Sequence, residues 1–205
     1  MKKVENLIIA TLEDLIDLKC ITDADSETRN RLVYPIKRCE TIRISEQEAR
    51  FLFVKHVEDS SEYFYSIEAP TKEKYSFTGT NQRSGSVDVC LYNEMLNRKH
   101  LIEFKALNGG IDSISKDFEK LFNDEVDLNN YFIHILRSTD SRTIVNVEDK
   151  YIEAIKYVGS KYGKFNSRLT IFLCDINMNN KDIDKQIIKY KVDENGKLSE
   201  PITVL

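Results

Sequence analysis

The chain has 205 residues, 41% of them apolar and 31% charged, with a formal net charge of −4. At this length one core can cover roughly 70% of the surface the unfolded chain exposes, so no disulfide or metal staple is needed. The acidic total excludes a chain that binds nucleic acid by bulk charge alone, although a local basic groove is compatible with it. No apolar stretch approaches the roughly 20 residues of a membrane span. The start, Met1-Lys2-Lys3-Val4-Glu5, and the short run Leu7–Ala10 are too brief and too acidic for a secretory signal. Cys20, Cys39, Cys90 and Cys174 form no Cys-x-x-Cys pair and read as reduced, buried thiols. The expected location is the cytoplasm.

In chain order, Val4, Leu7, Ile8, Leu12, Leu15 and Ile16 recur at helical spacing and predict a helix over 3–19. Residues 20–43 are mixed and charged, with Pro35 as a breaker, and read as a connector with a short helix around Thr28–Val33. Ser45-Glu46-Gln47-Glu48 has the form of a capping box and opens a helix running to about Val57. The period then changes. Tyr63–Ile67 and Lys74–Thr78 are aromatic and strand-like, separated by Ala69-Pro70-Thr71. Ser86–Tyr92 and Leu101–Leu107 alternate with period two and, joined by the polar residues 93–98, predict a β-hairpin. Gly109-Gly110 leads into a helix over Ser113–Asn123. Tyr131–Leu136 and Leu169–Cys174 are apolar strands of the doubly buried kind, separated by a helix over Glu148–Tyr162. Ile187–Val192 and Pro201–Leu205 flank the turn signature Glu194-Asn195-Gly196. The expected fold is α/β: a central mixed β-sheet flanked by helices. Segment 1–44 reads as a helical extension, 45–178 as the core and 179–205 as a C-terminal hairpin packed on it, within one domain.

The hairpin carries the chemistry. A hairpin centred on Met95-Leu96 sets Asp88 opposite Glu103, and Glu103 and Lys105, two apart, share one face. Like charges facing each other destabilise a ladder, so this placement implies something positive between them. Phosphodiester hydrolysis without a covalent intermediate needs a water nucleophile and charge neutralisation at phosphorus, which carboxylate-held Mg²⁺ or Mn²⁺ provides. Asp88, Glu103 and the backbone carbonyl of Phe104 are the candidate ligands. Lys105 would act on the attacking water or bind the phosphate as a point charge.

Asp88, fourteen intervening residues, then Glu103-Phe104-Lys105 resembles the signature of the PD-(D/E)xK, or restriction-endonuclease-like, nuclease superfamily. Val87 stands where that family's nominal proline would be. The resemblance covers about Ser45–Ile176. It implies an αβββαβ core, here with an N-terminal helix and a C-terminal β-hairpin. It further implies a metal-dependent nuclease acting on nucleic acid, DNA above RNA, with catalytic Asp88, Glu103 and Lys105. The family often adds an acidic residue on the helix before the sheet: Glu48 is the candidate, with Glu46 as substitute.

Other positions keep two readings. Glu48 is also the third residue of the capping box. Lys116 and Lys120, one turn apart, either meet the phosphate backbone or form a solvated face paired with Asp112 and Glu119. Arg83, before the Asp88 strand, either touches substrate or belongs to a simple loop. Asp88, Glu103 and Lys105 themselves have a bland reading as the exposed face of an antiparallel sheet. His56, His100 and His134 share no short spacing and read as structural. At the level of function, the intact Asp, Glu and Lys favour the nuclease. The acidic charge favours a non-catalytic binding or regulatory module on the same fold, or a nuclease that binds substrate through a second copy or partner subunits.

Overall fold

A computed structural model describes residues 2–20, 31–35, 42–75, 83–124, 128–137, 139–176 and 187–204. The helices are α1 (Lys2–Ile16), α2 (Glu46–Ser60), α3 (Ile111–Asn123) and α4 (Ser141–Tyr162). The strands are β1 (Lys19–Cys20), β2 (Val33–Tyr34), β3 (Phe64–Tyr75), β4 (Arg83–Tyr92), β5 (Arg98–Ala106), β6 (Asn129–Arg137), β7 (Arg168–Ile176), β8 (Ile187–Val192) and β9 (Ile202–Thr203). Strands β3 to β9 form one open seven-stranded sheet in sequence order. β3, β4 and β5 are antiparallel, β5, β6 and β7 parallel, and β7, β8 and β9 antiparallel. The fold is therefore α/β with a mixed sheet. Among the described residues no helix is long and apolar enough to cross a membrane.

Both faces of the sheet are covered, which is why its central strands are apolar almost throughout. On one face α1 and α2 pack through Val4, Ile8, Leu12, Leu52 and Phe53 against Val89, Ile102, Phe104 and Ile133. On the other, α3 and α4 pack through Phe118, Leu121, Tyr151 and Val158 against Cys90, Leu101, Phe132 and Leu173. This parity sends Glu103 and Lys105, which alternate with Ile102 and Phe104, toward α3.

Several elements depart from the sequence expectations. Val33 lies in β2, paired in parallel with Lys19, rather than in a short helix; residues 28–30 lie outside the described residues. The segments around Ala69-Pro70-Thr71 are one strand, with a register shift between Pro70 and Lys74; residues 76–78 lie outside the described residues. Proline is tolerated there because β3 is an edge strand, whose outer side needs no donor. Helix α4 begins seven residues before Glu148, because Asp140 caps it, accepting from Thr143 N at 2.7 Å. The C-terminal pair joins the core by extending its sheet, β8 pairing with β7 and β9 with β8. Cys90 and Cys174 are buried thiols, neither in a disulfide.

Candidate active site

The site begins with register. Val89 pairs with Ile102 and Cys90 with Leu101, so one further step sets Asp88 across from Glu103. On the other side of β4, the pairs Ile67–Val89 and Ala69–Val87 set Glu68 across from Asp88. Three acids thus stand in a row on three adjacent strands. Regular pairing of β4 with β5 stops at Val89, and the Asp88 side chain takes over: its Oδ2 accepts the Phe104 N–H at 2.7 Å. Phe104 turns its ring to the α2 side, edge-on to Phe53 at 5.9 Å. Glu68 has φ 52°, a left-handed conformation that costs energy for a non-glycine residue and recurs at functional sites.

Four cationic or acidic side chains from the helices complete the cluster. Arg50 of α2 bridges Glu68 Oε1 at 2.5 Å and Asp88 Oδ1 at 3.4 Å. Lys120 of α3 pairs with Glu103, with Asp117 Oδ1 at 3.1 Å, and donates to the Ser86 carbonyl at 3.0 Å. Asp117 also accepts from Lys105 Nζ at 3.2 Å, while Glu46 lies 3.9 Å from that ammonium and accepts the Ala106 N–H at 3.2 Å. The exit of β5 is pinned. His134 Nε2 donates to the Leu107 carbonyl at 2.6 Å while its Nδ1 accepts from Tyr151 OH at 2.7 Å. A β-carbon on Gly109 would come within 3.3 Å of Lys105 Cε, so glycine gives the lysine stem its room.

Glu103 is 4% exposed. Burial pushes its carboxyl well above the usual range; Asp117 and Asp88 add to this, and Lys120 opposes it. Lys120 meets the buried Glu103 Oε1 directly, so this carboxylate is countered from within the chain. Burial also raises Asp88, against the Phe104 N–H and Arg50, and raises Glu46, against Lys105. Glu68 is lowered, chiefly by its hydrogen bond from Arg50. Burial alone would lower Lys120, but Glu103 and Asp117 outweigh it and hold the ammonium raised.

Asp88, Glu103 and Lys105 are therefore together on adjacent strands. Glu48 is not with them: its Oε2 accepts from Ser45 N at 3.1 Å and Ser45 Oγ at 2.5 Å, closing the capping box. Glu46 is the acidic residue of α2 that reaches the cluster. Lys120 is a buried member of the cluster, not part of a solvated face, while Glu119 pairs with Lys161 at 2.6 Å. Lys116 is half-buried and enters none of the ion pairs described. Arg83 opens β4 opposite Tyr75, and its side chain lies outside the described residues. The histidines are held structurally, His56 by Asp14 at 3.0 Å and His100 by the Asn129 carbonyl at 2.7 Å. Sequence reasoning missed Glu68, Arg50 and Asp117. Asp117 and Lys120 had one available signal: spaced i, i+3, they border the apolar stripe Ile114, Phe118, Leu121.

Carboxylates and a backbone carbonyl are the hard-oxygen donors that Mg²⁺ and Mn²⁺ select. Asp88 and Glu103 are donors of that kind, although the buried Oε1 of Glu103 already meets the Lys120 ammonium. Among the described residues, however, no three His, Cys, Asp or Glu side chains converge as a ligand set. Compared with protein-family models, curated proteins and solved structures, the chain matches none.

Proposed function

We propose that this protein is a metal-dependent nuclease that hydrolyses phosphodiester bonds, with DNA as the expected substrate. The observation that carries the reading is the charge balance of a buried site. Five carboxylates (Glu46, Glu68, Asp88, Glu103, Asp117) face three cations (Arg50, Lys105, Lys120), a formal excess of two negative charges. A divalent cation would cancel it. Burial raises the carboxyls of Glu103 and Asp88, and for Glu103 the neighbouring Asp117 and Asp88 add to it, so a cation at this site would relieve both. The order α2, antiparallel β3-β4-β5, α3, parallel β6 supports the same reading, since it agrees with the αβββαβ core that the Asp88…Glu103-Phe104-Lys105 motif implies.

In this reading Asp88, Glu103 and the Phe104 carbonyl would hold Mg²⁺ or Mn²⁺, which would supply neutralisation at phosphorus and a more acidic water. Lys105, oriented by Asp117 and Glu46, presents its ammonium to a phosphate oxygen beside the carboxylates. The Phe104 N–H orients Asp88, leaving its second oxygen toward Arg50.

One observation favours a second reading, a non-catalytic module on the same fold. Lys120 already brings positive charge to Glu103 from within the chain. Calorimetric titration of Mn²⁺ into the wild type and Asp88→Ala separates the two. The nuclease reading expects binding in the wild type that Asp88→Ala loses; absence of binding in both, with no metal-dependent cleavage, favours the module.

A further inference from the structure

The proposed reaction leaves one buried cation without a task. The Lys120 ammonium has three N–H donors and three oxygen partners: the Glu103 carboxylate, Asp117 Oδ1 at 3.1 Å and the Ser86 carbonyl at 3.0 Å. Two carboxylates and a backbone carbonyl are the donor types a hard divalent ion takes. Lys120 thus holds a tethered monovalent cation in an all-oxygen setting, against the carboxylate that a metal would need. The residue is 9% exposed, so the pair is weakly screened, and a second cation beside it meets strong repulsion.

We infer that Lys120 is a resident counter-ion of Glu103, competing with the divalent cation for that carboxylate and released from it when the cation binds. The inference rests on the proposed metal site and adds its regulation. Lys120 sits on α3, one turn from Asp117, and its stem has four rotatable bonds. Once displaced from Glu103, the ammonium stays within reach of the site and becomes a partner for a substrate phosphate. Metal binding and phosphate binding are then positively coupled, each favouring the arrangement that the other needs. Without metal, the same lysine satisfies the acids and keeps the site closed to anions.

The test is calorimetric titration of Mn²⁺ into the wild type, Lys120→Gln and Asp88→Ala. Removing the internal competitor should tighten Mn²⁺ binding about tenfold or more in Lys120→Gln, while Asp88→Ala loses it. Equal or weaker binding by Lys120→Gln, with wild-type binding still dependent on Asp88, overturns the counter-ion role and leaves the metal site standing. No binding in any of the three overturns both. Because Lys120→Gln is a change at a buried position, a second measurement uses the wild type alone. In a ¹H–¹⁵N spectrum of the lysine ammonium groups, assigned with Lys120→Arg, the Lys120 signal should be protected from exchange without metal and lost to fast exchange at saturating Mg²⁺. A signal unchanged at saturating Mg²⁺ overturns the inference.

Discussion

The carboxylate of Asp88 accepts the backbone N–H of Phe104 at 2.7 Å, one strand away. One strand's acid is therefore held by the main chain of the residue between Glu103 and Lys105. The relationship survives any change of the Glu103 or Lys105 side chain, so single substitutions there test chemistry without dismantling the row. It also explains why the ladder can stop at Val89: the Asp88 side chain replaces a backbone acceptor.

Lys105→Met should abolish cleavage and leave the fold intact at a moderate cost in stability. The side chain is largely covered, but Asp117 keeps Lys120 at 3.1 Å when Lys105 is gone. The expected loss is about 1–3 kcal/mol, read by denaturant unfolding beside a cleavage assay. A loss several-fold larger would make the lysine a structural member of the core.

Glu48 and Glu46 should separate cleanly. Glu48→Ala removes half of the capping box and should cost about 1 kcal/mol, with metal-dependent cleavage unchanged per folded molecule. Glu46→Gln should leave the melting temperature nearly unchanged and lower cleavage, since Glu46 faces Lys105. The reverse pattern would return the acidic role to Glu48.

Glu103 makes stability depend on pH with a defined sign. Its folded carboxyl lies well above 4.5, so the native state holds a proton that the unfolded state has released. Stability therefore falls as pH rises from about 4.5 through the folded pKa, and stays lower above it. Glu103→Gln should flatten the wild-type curve across that window, measured by urea unfolding without metal. A variant curve parallel to the wild type's would mean that Glu103 is ionised throughout.

His134 acts in the opposite direction. Burial lowers its pKa from 6.5 to about 4, against the pull of the Leu107 carbonyl. Its contribution is complete above about 6.5 and is lost as pH falls toward 4, for a total of roughly 3 kcal/mol. His134→Gln should be less stable at pH 7 yet lose less on acidification. If both proteins lose the same stability between pH 7 and 4, His134 is not held neutral.

The elements were legible where periodicity and turn chemistry agreed. Alternation in Ser86–Tyr92 and Leu101–Leu107, with one polar connection, was enough to set Asp88 against Glu103, because a strand's side-chain period of two leaves little freedom in register. Ser45-x-x-Glu48 marked the start of α2 for the same local reason. Glu68 was not legible, since its place depends on the pairing of β3 with β4 across residues 76–82 and on a left-handed backbone that no local pattern announces. Arg50 and Asp117 were not legible either. Each meets its partner only after a helix has docked on the sheet, and helical spacing alone does not say which strand residue lies beneath. Lys120 was visible as a charge near the site, but its burial against Glu103 is a tertiary fact.

The most direct measurement is a cleavage assay on single- and double-stranded DNA and on RNA, in Mg²⁺ or Mn²⁺ and in EDTA, with wild type, Asp88→Asn and Lys105→Met. The account predicts cleavage by the wild type, DNA above RNA, that requires the divalent ion and is abolished by either substitution. Cleavage that persists at the wild-type rate in Asp88→Asn, or no cleavage of any of these nucleic acids by the wild type, would contradict it.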